Sequence, residues 1–204
     1  MSLCGKMVKA NQLKVNDMKK LLERIKLCKL PPPQRRSLPF ECYWEDSILT
    51  QEQERIFSNQ WLGLGRSDRL ENPGAYEVFE LCGQALVLIR NQDKELKLYA
   101  NTCRHRGAKL LDGSGQCQAI SCPFHGWTYS LDGNLKYAKT MEENPSFDFA
   151  EHSLIEYKLK ELQGFLFVFL GKNPTDLSNQ LGNFCELHQP WSMNELVTTR
   201  RATF

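Results

Sequence analysis

Cys103-Arg104-His105-Arg106-Gly107-Ala108 and, with sixteen residues between that histidine and its first cysteine, Cys122-Pro123-Phe124-His125-Gly126-Trp127 are the stretches on which the reading of this chain turns. Each offers one thiolate and one imidazole, spaced C-x-H in the first and C-x-x-H in the second. A two-iron, two-sulfide cluster with two cysteines on one iron and two histidines on the other needs this supply, because each loop then gives one ligand to each iron. Imidazole is neutral where thiolate is anionic, so two imidazoles in place of two thiolates lower the negative charge around the cluster and ease its reduction. The chemistry implied is one-electron transfer. Two other readings stand beside it. The same donors could fill a tetrahedral zinc site, although zinc fingers usually pair Cys with Cys and His with His. They could also be buried cysteines and hydrogen-bonded histidines that fall together by chance. Yet the chain has only four His, and two of them fall in register with two of the eight Cys. Each pair is followed by a glycine, Gly107 or Gly126, where a tight bend brings backbone N–H groups near sulfur.

Outward from the two loops the pattern is one of strands. Tyr76 to Leu81 alternates, Ala85 to Ile89 is a short apolar run, and Glu95 to Tyr99 alternates again, with Gly83 and Asn91 to Lys94 as turns. This predicts a β-meander feeding the first loop. Asp112-Gly113-Ser114-Gly115 between the loops and Asp132-Gly133-Asn134 after the second read as turns. Leu154 to Leu162 and Phe165 to Leu170 make a closing hairpin around Gln163-Gly164. The Phe165 to Leu170 run is read as a buried strand rather than a box that stacks on a cofactor. Trp127 and Tyr129 are open to two roles, an apolar cover that limits water at the cluster or simple packing. Cys117 is read as a small core or loop residue.

The fold class expected is mainly β, an antiparallel domain over residues 61–171 with the candidate ligands on loops at its tip, preceded by short helices. Residues 1–33 form a basic helix and Pro-rich linker, 34–60 an approach segment with a second helix, and 172–204 a connector. Residues 1 to 30 hold eight Lys or Arg against Asp17 and Glu23, a balance of +6 that leaves the remainder at −4. Val15, Met18, Leu21, Leu22 and Ile25 recur at helical spacing, with Asn16 as the cap and Pro31-Pro32-Pro33 as the stop. Basic helices can meet membranes or nucleic acid, but no aromatics interleave with these lysines, and neither partner is expected. The second helix is predicted after Thr50, with Thr50 and Gln53 as a capping box. Arg200 to Phe204 reads as a strand. With 41% hydrophobic and 25% charged residues the composition is that of a soluble globular protein, and no apolar run reaches the length of a membrane span. No signal peptide is visible, so reduced cysteines and a cytoplasmic location are expected.

CRHRGA and CPFHGWTY resemble the Rieske loops of oxygenase large subunits, the family of ring-hydroxylating dioxygenases and related monooxygenases. The resemblance implies a Rieske 2Fe-2S cluster held by Cys103, His105, Cys122 and His125, in a Rieske-type β domain. High-potential Rieske proteins usually carry an extra cysteine in each loop, forming a disulfide, and a Ser after the His-Gly pair. Here Ala108, Phe124 and Trp127 occupy that territory, and both devices are missing. Fewer hydrogen bonds to sulfur place the expected potential toward the low end of roughly −150 to +300 mV. Cys42-Tyr43 and the helix leading to Ile56-Phe57 and Trp61 also resemble the approach in oxygenase large subunits. In that family a catalytic domain follows, with a mononuclear Fe(II) on two His and one carboxylate. His152 and His188, 36 positions apart, offer no such site, so that iron is expected only in a C-terminal domain missing from this chain. The function implied is electron transfer within an oxygenase that hydroxylates or demethylates an organic substrate with O2; the alternative is a stand-alone Rieske ferredoxin-type carrier. The partners implied are a reductase or ferredoxin electron donor and further copies of the chain in a trimer. Aromatic acids and quaternary amines stay equally open as substrates.

The purified protein is therefore expected to be reddish brown, with about two irons and two acid-labile sulfides per chain. Metal and sulfide analysis checks this, and a colourless protein with one zinc would overturn it.

Overall fold

The computed structural model of the protein describes residues 15–141 and 143–199, and the chain divides into two units, Met1–Ser58 and Asn59–Phe204. In the first unit α1 spans Val15–Lys26 and tightens into a 3-10 turn at Leu27–Lys29, just before the prolines. Met18, Leu21 and Ile25 are shielded while Leu22 is half exposed, so the apolar stripe is narrower than its spacing suggests. Asn16, expected as the cap, lies inside the helix. A second correction concerns α2, which covers Asp46–Arg55 and so starts four residues before Thr50. Glu45 and Asp46 place negative charge beside the unpaired N–H groups of the helix start, which favours the earlier beginning. The Thr50 hydroxyl does not cap; it donates to the Asp46 carbonyl one turn back, at 2.9 Å. The strand expected at Arg200 to Phe204 lies outside the described residues.

The described residues of the second unit form ten strands in three antiparallel sheets: β1 (Trp61–Arg66), β2 (Ala75–Leu81), β3 (Gln84–Arg90), β4 (Leu96–Ala100), β5 (Ser114–Gln116), β6 (Ile120–Ser121), β7 (Thr128–Tyr129), β8 (Leu135–Tyr137), β9 (Lys158–Leu162) and β10 (Phe165–Phe169). They order as β1-β10-β9, β4-β3-β2-β5 and β6-β7-β8. The central strand β3 explains the layering. Leu86, Val87, Leu88 and Ile89 are all fully buried, and because side chains alternate across a strand they serve two cores. Val87 and Ile89 pack with Tyr99, Ile120, Trp127 and Tyr129 beneath the paired loops. Leu86 and Leu88 pack with Leu98, Leu166 and Val168 toward β10. Phe167 and Phe169, on the other face of β10, join Trp61 and Leu177. The Phe165–Phe169 run is thus a strand buried on both faces, as its composition predicts.

Two tight turns match the sequence. Cys82-Gly83 and Gln163-Gly164 each put two successive residues at positive φ, the geometry that suits the twist of a two-residue hairpin. Three elements differ from expectation. Glycine-interrupted β1 gives no alternation in sequence, yet it pairs with β10 through a bulge between Gly63 and Gly65. Ser114 and Gly115, read as a turn, form an edge strand on β2; Gly115 lies opposite Tyr76, whose ring fills the space a Cβ would need. The strand expected from Leu154 is confined to Lys158–Leu162, preceded by a single bridge from Glu156 to Tyr99.

Gly74 and Gly83 both sit at positive φ, but only Gly74 is crowded: a Cβ there would lie 2.1 Å from the Cys117 carbonyl oxygen. Gly83→Ala should then cost only the left-handed backbone term, about 1–2 kcal/mol. Gly74→Ala should cost about 1–3 kcal/mol more, from overpacking against backbone. Urea unfolding of the two variants compares them directly.

Candidate metal centre

The two ligand-bearing loops share one hydrogen-bonded frame. In the first, the Cys103 N–H donates to the Ala108 carbonyl at 2.8 Å and the Gly107 N–H to the Cys103 carbonyl at 3.0 Å. In the second, the Cys122 N–H donates to the Trp127 carbonyl at 2.8 Å and the Gly126 N–H to the Cys122 carbonyl at 3.1 Å. Each is a six-residue loop with its glycine in the fifth place, at φ 73° and 72°. A Cβ at either glycine would meet nothing within 4 Å, so it is the backbone angle and not space that calls for glycine. The histidine stands third in the first loop and fourth in the second.

Folding sorts the four side chains by kind. Although each loop carries one of each, the His105 and His125 rings come together, 4.8 Å between centroids. The thiols sit close enough for Cys122 to raise the Cys103 pKa. Burial is the larger cause of that rise, opposed by the Tyr129 hydroxyl and the His105 backbone N–H. Burial also pushes the His105 imidazole below its usual range, with Arg106 and His125 adding to the effect. Cys103 and Cys122 are 3% and 4% exposed, whereas His125 is open to solvent. All four line one cavity of about 290 Å³, with Arg106, Gly107, Ala108 and Phe124 completing its wall.

Two observations test these residues against an iron-sulfur cluster. The His105 Nδ1 is buried and has no hydrogen-bond partner in the protein, as a nitrogen reserved for a metal would be. By contrast the Nδ1 atoms of His152 and His188 lie 2.8 and 2.7 Å from the Asp148 and Phe184 carbonyl oxygens. Among the described residues no three His, Cys, Asp or Glu side chains converge as one metal ion requires. Two pairs standing side by side suit a binuclear cluster better than tetrahedral zinc. The residues present fit a 2Fe-2S group.

Supporting contacts lie around the four. Tyr129 is fully buried, accepts from the Arg104 N–H at 3.0 Å, and places its oxygen 3.4 Å from Cys103 Sγ. With the phenol oxygen accepting from Arg104, its hydrogen is free to point at sulfur. The cover or packing role left open for Tyr129 is thus joined by a polar one. Trp127 is 3% exposed and lies flat against the His105 ring. Asn101, which nothing in the sequence singles out, clamps the first loop: its amide donates to the Leu111 carbonyl at 2.8 Å and its oxygen accepts from the Leu111 N–H at 3.0 Å. Cys117 is half-buried against the core and does not line the cavity.

Residues 60–153 match the Rieske [2Fe-2S] domain family. The chain is 34% identical over 151 residues to the carnitine monooxygenase oxygenase subunit of Escherichia coli (strain K12), a match covering 74% of this chain and 40% of that protein. It is 29% identical over 168 residues to the glycine betaine monooxygenase oxygenase subunit of Pseudomonas aeruginosa (strain UCBPP-PA14), covering 82% of this chain and 39% of that protein. A crystal structure of the apo form of a quaternary ammonium Rieske monooxygenase superposes with a TM-score of 0.75 at 32% identity, over 81% of this chain and 49% of that one. The chain spans about 40% of the length of the curated relatives it matches.

Tyr129→Phe removes the partner of the Arg104 N–H and should cost about 1–3 kcal/mol. Burial, then Cys103, holds the Tyr129 phenol above its usual value, and burial does the same for Tyr99. A phenol raised in the fold contributes stability below its unfolded pKa of about 10 and loses it as pH rises further, at up to about 1.4 kcal/mol per unit. Unfolding free energy should therefore fall above about pH 10 in the parent protein, and less steeply in Tyr129→Phe.

Proposed function

Because the chain belongs to the Rieske [2Fe-2S] domain family and takes a 2Fe-2S cluster, we propose that Cys103 and Cys122 hold one iron through sulfur, that His105 and His125 hold the other through nitrogen, and that the chain carries single electrons within an oxygenase. The sorting of the four side chains into a thiol pair and an imidazole pair is the observation that carries this reading. When bound, the cluster supplies a one-electron acceptor and donor.

The chain's own residues do the rest. Buried Cys103 and Cys122 keep the sulfur side dry, while exposed His125 gives the imidazole side an edge toward a redox partner. The Tyr129 hydroxyl donates to Cys103 Sγ and favours the thiolate. Arg106, exposed in the cavity wall, offsets the negative charge gained on reduction. With only the Tyr129 hydroxyl and the His105 backbone N–H directed at Cys103, and without the loop disulfide or the Ser after His-Gly, the site supports a potential toward the low end of roughly −150 to +300 mV.

The proposed setting is an oxygenase that hydroxylates or demethylates an organic substrate with O2. Residues 61–171 are the electron-transfer domain, 1–33 and 34–60 its N-terminal approach, and 172–204 the connector to a catalytic domain holding mononuclear Fe(II). A reductase or ferredoxin delivers the electrons, and copies of the chain assemble as a trimer. Similarity to oxygenase subunits supports this setting over a stand-alone carrier. Relatives named for carnitine, glycine betaine and benzene share this domain, as expected if it transfers electrons and does not select substrate.

Given a suitable reductase and NADH, residues 1–204 should cycle between oxidised and reduced forms while incorporating no oxygen into an organic substrate. Cys103→Ser and Cys122→Ser should lose the cluster's visible absorption, and Cys117→Ser should keep it. Product formation by this chain alone would overturn the division of roles, and loss of colour in Cys117→Ser would overturn the ligand set.

A further inference from the structure

His152 lies outside the paired loops, yet it is connected to them through rings. The indole of Trp127 stacks on the His105 imidazole, 4.7 Å between centroids and 13° from parallel. Elsewhere the same indole meets Phe147 and His152 edge to face, at 5.6 and 5.7 Å. Phe147 and His152 in turn stack on each other at 4.4 Å and 27°. Phe149 closes on Phe147 at 5.1 Å. The far end of this group is tied to backbone. His152 Nδ1 carries the hydrogen and donates to the Asp148 carbonyl at 2.8 Å, from a 3-10 turn (Ala150–His152) at whose start the Ala150 N–H donates to the Asp148 carboxylate, also at 2.8 Å. A run of ring contacts therefore leads from a backbone-anchored imidazole to a buried indole, and from the indole to His105.

We propose that His152 is a positioning residue of the metal centre: with Phe147 it fixes Trp127, and Trp127 fixes the ring plane of His105 and keeps water from that side of the site. The proposal rests on the reading of His105 as a ligand. Its chemical consequence has a sign. With two thiolates and two neutral imidazoles, the oxidised site carries about zero net charge and the reduced site about −1. Water solvates the more charged state better, so loosening the apolar cover should favour reduction. A different ring plane should also alter the ligand field at the imidazole-bound iron.

The test uses the cluster-loaded protein with His152→Ala, His152→Phe, Trp127→Leu and the His152→Ala/Trp127→Leu pair. The readouts are the EPR spectrum of the reduced cluster and the midpoint potential at one fixed pH. His152→Ala should shift the g-values and raise the equilibrium constant for reduction at least about threefold, which is about 28 mV at 59 mV per tenfold for one electron. His152→Phe, which keeps a ring against Phe147 and Trp127, should recover more than half of that shift. If His152 acts through the indole, adding His152→Ala to Trp127→Leu should change nothing further. A loaded His152→Ala with parent spectrum and potential would overturn the proposal, as would the same shift in both backgrounds. Should His152→Ala fail to load, Phe147→Leu takes its place, and parent-like properties there would overturn the proposal equally. The iron and sulfide content of the parent protein tests the ligand reading separately, since its failure would show before any variant is made.

Discussion

One phenol oxygen joins the two halves of this site. Cys103 and Cys122 stand 19 residues apart, on loops that no strand ladder connects directly, and the proposed metal centre requires them to close on each other. Tyr129, on the strand that leaves the second loop, reaches across to the Arg104 N–H and the Cys103 sulfur of the first. For that oxygen to be in place the phenol must be buried, and much of the second unit serves that end. Ile120 pairs with Tyr129 in the small sheet, and Val87, Ile89 and Tyr99 pack in the same core from the larger one. Gly133 turns the β7–β8 connection so close to Tyr99 that a Cβ would lie 2.7 Å from its ring.

Electrostatics follow the same division. The sulfur side is dry, so burial disfavours thiolate at Cys103, and the Tyr129 hydroxyl and the His105 N–H oppose it. Cys103 and Cys122 would escape that conflict as cluster ligands, because the iron they would hold neutralises thiolate charge. The imidazole side disfavours extra positive charge, because burial, Arg106 and His125 all press the His105 pKa down. A neutral imidazole is the form that binds metal, so the fold favours the ligating form at His105, whereas at Cys103 burial opposes it.

The four candidate ligands stand out in the sequence because cysteine, histidine and glycine recur in register and few other residues can do their work. The buried strands are legible because β3 and β10 read as unbroken apolar runs when both faces are covered. What escapes lies where tertiary contacts override local pattern. β1 gains its strand from pairing with β10 despite two glycines, and Gly115 is a strand residue because Tyr76 crosses it. Thr50 looks like a cap but follows a helix start set by acidic residues earlier in the chain. Asn101 and the Tyr129 hydroxyl act through partners 10 and 26 positions away, a span over which no spacing rule operates.

The unequal exposure of thiols and imidazoles also decides how such a centre would come apart. Acid and chelators act on ligands they can reach, and in this fold they reach imidazole first, since His125 is open while both cysteines are sealed. Under the proposed ligand set, dismantling would begin at the iron held by His105 and His125 and leave the one held by Cys103 and Cys122 for later. Alkylating reagents would find the thiols shielded for as long as the loops stay closed. The durability of the centre is thus set at its histidine rim, where the neighbouring Trp127 and Phe124 side chains stand, one buried and one exposed.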